Sequence, residues 1–112
     1  MYTNPGSINI LTNTSYALHS SSNSGVPYPV RVYSAFVKGL GAGGGTTTIG
    51  TLALHNAAIA GTEFVRLAVV GTGIPMTTSI DFSNGLLFPN GCWAIPSSWT
   101  AYSTITYEIL PL

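Results

Sequence analysis

The sequence predicts an all-β fold, a single antiparallel β-sandwich of about eight short strands, jelly-roll or immunoglobulin-like. Three observations carry this. Helix-favouring Lys, Arg and Glu are scarce, while Gly, Thr, Ser, Val and Tyr are common. Apolar residues alternate with a period of two in several runs. Turn-forming residues interrupt these runs roughly every 10 residues, the spacing of sandwiches and small barrels. One domain accounts for residues 1–112. A chain of this length buries roughly two-thirds of its unfolded surface and needs neither metal nor disulfides to fold.

Residues 1–12 are predicted as an extended N-terminal arm holding one short apolar strand at 8–11. Ile8 and Ile10, set among Asn, Thr and Ser, suit strand addition to a neighbouring sheet; a frayed terminus is the alternative. A second strand is expected at 16–19. Residues 20–25, SSSNSG, read as a polar loop, and Pro27 and Pro29 prevent a central strand at 27–29. From 30 to 38, VRVYSAFVK alternates. Val30, Val32, Ser34 and Phe36 fall on one face, and Arg31, Tyr33, Ala35 and Val37 on the other.

The run GLGAGGG at 39–45 reads as the tip between this strand and the next, at 46–55. It lacks the Lys-Ser or Lys-Thr pair and the helix that a phosphate-cradling loop needs. Residues 56–60 form a loop or a single turn. EFVRLAVV, at 63–70, is apolar on both faces, which predicts a central strand. Gly71-Thr72-Gly73 and Pro75 end it. After a strand at 77–82, two Asn-Gly turns, Asn84-Gly85 and Asn90-Gly91, bracket a short strand at 86–88. Strands at 92–95 and 101–110 complete the set, the last with Ile105, Tyr107 and Ile109 on one face.

Charge is the outlying quantity. Only 5% of residues are charged, against about 25% in an average soluble domain. They are Arg31, Lys38, Glu63, Arg66, Asp81 and Glu108, and they sum to zero. Without a basic patch to neutralise phosphates, nucleic acid is not an expected partner. No run reaches the 18 apolar residues of a membrane span, and no signal-peptide pattern comes after Met1. Polar surface therefore falls largely to 26 Ser and Thr residues. A neutral surface offers little repulsion between copies and suits a protein packed into an assembly.

Reaction chemistry finds little footing. The three carboxylates sit in separate predicted strands, with nothing to form a glycosidase pair. His19, His55, Cys92 and Asp81 show no metal-ligand spacing. Cys92, between Gly91 and Trp93, is expected to be a buried and inert thiol. No catalytic residues, cofactor or metal are expected. Trp93, Trp99 and Tyr102 fall within ten residues. They either pack in the core with their polar tips bonded, or stand exposed as an interface able to stack on sugar rings.

The run GTGIPMTTSIDFSNGLLFPNGCWAIPSSWTAYSTITYEI resembles the end of small all-β virion proteins of tailed bacteriophages. The matching positions are Asn84-Gly85-Leu86 or Asn90-Gly91, then 93–95, then Thr104-Ile105-Thr106-Tyr107. Upstream, VYSAFVKGLGAGGGTTTIGTLALHNA resembles their paired strands flanking a glycine-rich tip. Cys92 and Trp93 depart from the pattern, which has simpler apolar residues there. The resemblance implies a head decoration (cement) protein that binds the outer capsid lattice and stabilises the head. Its expected partners are the major capsid protein or other virion proteins, and its expected place is the capsid surface after synthesis in the host cytoplasm. A homo-oligomer is expected, with a trimer suggested by three-fold lattice junctions. The alternative is a receptor- or carbohydrate-binding module of the tail or fibre. Interface residues are expected among Ile8, Ile10, Trp93, Trp99 and Tyr102.

Overall fold

The computed structural model describes residues 6–10, 14–18, 27–40, 47–72 and 76–110. These form eight strands: β1 (Gly6–Ile10), β2 (Tyr16–Ala17), β3 (Val30–Gly39), β4 (Thr47–Asn56), β5 (Glu63–Thr72), β6 (Thr77–Phe88), β7 (Cys92–Pro96) and β8 (Thr100–Ile109). They make two four-stranded antiparallel sheets, ordered β1-β8-β3-β6 and β2-β7-β4-β5. The pairing is mirror-like along the chain: first with last, second with seventh, third with sixth, fourth with fifth. A long antiparallel ribbon with its tip between β4 and β5 has rolled up so that β3 meets β8 and β4 meets β7. This is the double-sheet jelly roll, which settles the choice left open between jelly-roll and immunoglobulin-like types.

The core lies between the sheets. Val30, Val32, Ala35, Val37, Phe88 and Ile105 from the first sheet meet Leu52, Leu54, Leu67, Val69, Cys92 and Ala94 from the second. Each fully buried Val, Leu, Ile or Phe contributes roughly 1.5–3 kcal/mol relative to exposure. The strict alternation expected of β3 breaks once. Its register against both neighbours shifts between Val32 and Ser34. Tyr33 is the extra residue of a β-bulge, so the inward series runs Val30, Val32, Ala35, Val37, and Phe36 turns outward.

Three further expectations change. Residues 6–10 are not an arm reaching to a neighbour: they pair with β8 of their own chain, and Ile8 packs against the core. The rest of the expected arm, 1–5 and 11–12, lies outside the described residues. The strand expected to be central, β5, is an edge. Its edge is partly capped by the other sheet: the Thr78 hydroxyl donates to the Ala68 carbonyl at 3.0 Å, and Phe64 stacks on Phe88 at 4.9 Å. Finally, Asn84-Gly85 is no hairpin turn. It lies inside the 12-residue β6, where four residues, 82–85, stand opposite the single bulged Tyr33. Gly85 has φ +79, and a Cβ there would collide with Cγ and Cδ of Arg31. Asn90-Gly91 does turn, with φ +96 at Gly91 and its N–H donating to the Phe88 carbonyl at 3.3 Å. That turn carries the chain from one sheet to the other and is not a hairpin.

Candidate functional site

Antiparallel pairing throughout means that odd-numbered strands run one way and even-numbered strands the other. Links β3–β4, β5–β6 and β7–β8 therefore share one end of the sandwich. Links β4–β5 and β6–β7 share the opposite end.

Among the described residues the first end groups three large apolar side chains, with Lys38 beside them on the outer face of the first sheet. Leu40, Met76 and Trp99 stand there with 43, 50 and 44% of their surface exposed. Backbone hydrogen bonds hold them together: Gly39 N–H donates to the Met76 carbonyl at 2.9 Å, and Leu40 N–H to the Trp99 carbonyl at 2.8 Å. The Thr48 hydroxyl donates to the Leu40 carbonyl at 3.0 Å. Beside them, on the outer face of the second sheet, the cross-strand pair Ile49 and Val70 is more than half exposed. Large apolar side chains grouped on a monomer surface mark interaction sites.

The opposite end is ionic. On the outer face of the first sheet Glu108 is buried, and Tyr33 donates its hydroxyl to Glu108 Oε2 at 2.7 Å. That bond, and then burial, hold the Tyr33 phenol above its ordinary range. Arg31 is the cross-strand partner of Glu108. On the second sheet Arg66 donates to Glu63 Oε1 from Nε at 2.9 Å and from Nη2 at 2.6 Å. Those bonds are the main cause that lowers the Glu63 carboxyl below its ordinary range. His55 Nδ1 lies 2.7 Å from the Ile59 carbonyl, an acceptor only, so Nδ1 carries the proton. Its Nε2 is buried without a hydrogen-bond partner, 3.5 Å from Glu63 Oε1.

The expected interface residues are dispersed. Trp93 is half-buried on the outer face of the second sheet, where it pairs with His55. Tyr102 is half-buried on the outer face of the first sheet, with Phe36 at 5.8 Å and Lys38 Nζ 5.8 Å from its ring centroid. Trp99 is exposed at the apolar end between them. Trp93 and Tyr102 thus point from opposite faces of the sandwich, and the three rings make no single platform. Ile8 is turned into the core; Ile10 pairs in register with Ser103.

The carboxylates separate as well. Glu63 is on the second sheet; Asp81 and Glu108 are on the first, on strands either side of β3. Among the described residues no three His, Cys, Asp or Glu side chains group as metal ligands; His19 lies outside them. Cys92 is buried in the core, which pushes its thiol up to about 12. Leu40, Met76, Ile49 and Val70 had not been expected as surface residues. Leu40 between two glycines and Met76 after Pro75 did carry a signal: large apolar residues placed in turns, where no periodicity buries them. Comparison with known protein families, characterised proteins and solved structures finds no match.

Proposed function

We propose that this chain is a structural protein of a tailed-phage virion, a decoration protein that binds the outer capsid lattice by adhesion and without catalysis. The apolar end formed by Leu40, Met76 and Trp99 carries this reading. Backbone hydrogen bonds fix Leu40 against Trp99 and Gly39 against Met76, so these described positions are held relative to one another. These three side chains carry no charge that association would have to desolvate. The jelly roll is compatible with this role, since it is used in capsid and lectin domains alike, but a fold alone does not choose between them. A sugar-binding role needs adjacent exposed rings, and here Trp93 and Tyr102 face opposite ways.

Size sets the terms of attachment. The smaller cross-section of 26 × 20 Å gives an end-on footprint of about 500 Å², below the ~800 Å² per partner of a standard interface. One copy would hold weakly. Linked copies on a repeating lattice gain by multivalency, the second contact becoming intramolecular. Phage heads lacking the protein, to which it is added back, provide the test. The parent chain is expected to co-sediment with the heads and to raise their resistance to heat and osmotic shock. A L40S/M76S/W99S variant is expected to fold and to do neither. Bare heads as robust as complete ones, or a variant that binds like the parent, would refute the role.

A further inference from the structure

The two Asn-Gly pairs stand in unlike surroundings. Asn-Gly is open to spontaneous deamidation, because glycine has no side chain to shield its nitrogen from the preceding carboxamide. Whether the reaction runs in a folded chain depends on backbone freedom. The asparagine must turn until its Cγ meets the next nitrogen, and a hydrogen-bonded backbone has to open first.

Asn90-Gly91 is pinned. Asn90 N–H donates to Asn56 Oδ1 at 3.2 Å, Gly91 N–H donates to the Phe88 carbonyl at 3.3 Å, and the Gly91 carbonyl accepts from Ala57 N–H at 2.9 Å. Gly91 is buried, and the next residue, Cys92, lies in the core. Asn84-Gly85 lies where the pairing of β6 lapses. Residues 82–85 have no register partner on β3, and the ladder resumes only with Leu86 opposite Val32. β6 is also the edge of its sheet, so no second ladder backs this stretch. Asn84 is exposed, and the backbone leaves strand geometry at Gly85, with φ +79.

We propose that Asn84 is a site of spontaneous modification, deamidating in the folded protein while Asn90 is protected. The Gly85 nitrogen gives up its proton to solvent base and attacks Asn84 Cγ. The N–Cγ bond forms, the Cγ–Nδ2 bond breaks, and ammonia leaves with a proton from water. Water then opens the five-membered succinimide. Cleavage of N–Cγ gives aspartate; cleavage of the nitrogen's bond to the main-chain carbonyl carbon gives isoaspartate, with the chain rerouted through the side chain. No electrons change hands, and one carboxamide becomes one carboxylate.

The fold tolerates the product where it forms. Isoaspartate adds one atom to the backbone, and four residues already stand opposite one here, so no register is lost. The new carboxylate adds one negative charge to a chain whose charges sum to zero. It arises next to Gly85, against which the Arg31 stem lies, and away from Leu40, Met76 and Trp99. The inference is therefore independent of what those three residues bind.

The test incubates the full chain, folded, in mildly alkaline buffer, beside a sample held unfolded in urea. Peptide mapping by mass spectrometry reads the replacement of –NH2 by –OH at each asparagine. Methyl transfer by an isoaspartyl methyltransferase reads the rerouted product. In the folded chain Asn84 is expected to convert at least about tenfold faster than Asn90, because opening two hydrogen bonds lowers the reactive population by about that factor or more. In urea the two are expected to convert within about twofold of each other. Circular dichroism of the converted chain is expected to match that of the fresh one. An Asn84 that stays intact in the folded chain while converting in urea overturns the proposal. So does an Asn90 that keeps pace with it in the folded chain, or a preference for Asn84 as large in urea, which would put its cause outside the fold. A folded spectrum lost on conversion overturns the tolerance argued for β6.

Discussion

Ser103 puts a hydroxyl into the core with no hydrogen-bond partner, at the register position facing Val37. An unsatisfied buried polar group costs about 1–3 kcal/mol, and loss of one oxygen leaves little space behind. S103A is therefore expected to raise stability, by about 1 kcal/mol in urea unfolding. A loss of that size would mean that the hydroxyl is bonded. Glu63 carries a pH dependence whose sign is fixed by Arg66. The folded-state carboxyl is lowered, so the pair contributes above the ordinary carboxylate range and is lost as pH falls through the lowered value. The pair is exposed, and the effect is small. E63Q is expected to melt slightly below the parent at neutral pH and together with it in acid; parallel melting curves at both would remove the pair from the stability of the fold. Cys92 was legible at this scale, because a thiol set among Gly91, Trp93 and Ala94 has no charge nearby to favour its thiolate. The buried Glu108 was not. Its burial depends on Tyr33, 75 residues away in sequence, whose hydroxyl reaches its carboxylate only once β3 and β8 have paired.

Strand existence was readable from periodicity, and strand environment was not. All eight strands fall where alternation and turn residues put them, apart from the joining of 77–82 with 86–88 into one β6. Asn-Gly reports a local need for positive φ. At Gly85 that need comes from a distortion inside a strand, and nothing in the dipeptide separates this from a hairpin. Phase along β3 failed at Tyr33 for a similar reason: a bulge adds one residue without marking it. The edge position of β5 was hidden because its two apolar faces suggested burial on both sides. One faces the core and the other faces out, through Ala68 and Val70. The β6 distortion predicts its own sensitivity. G85A is expected to lose about 2 kcal/mol in urea unfolding, from the left-handed backbone and the displaced Arg31 stem. G85N separates these causes, since Asn accepts the backbone but not the lack of space. If both variants match the parent, the close approach of Arg31 is immaterial.

Among the described residues the molecule has a direction: an end where Leu40, Met76 and Trp99 group with Lys38 beside them, and an ionic end that holds Arg31, Glu108, His55, Glu63 and Arg66. Composition announced the shortage of charge but could not place it, since placement depends on which links share an end, and that depends on strand order. The mirror pairing also orders events in time. Residues of β4 and β5 meet across a short connection, whereas Gly6 and Tyr107 meet only when nearly the whole chain has been gathered. Closure entropy grows with the length enclosed, so zipping from the tip outward is the least costly route. Contacts this remote in sequence make folding slow, on the millisecond-to-second scale of all-β domains. The leading segment is then the last tooth to engage. Until it does, the flank of the final strand stands open to any extended peptide, including the same segment of a newly made sister chain, and exchange of that first strand is the error this topology invites.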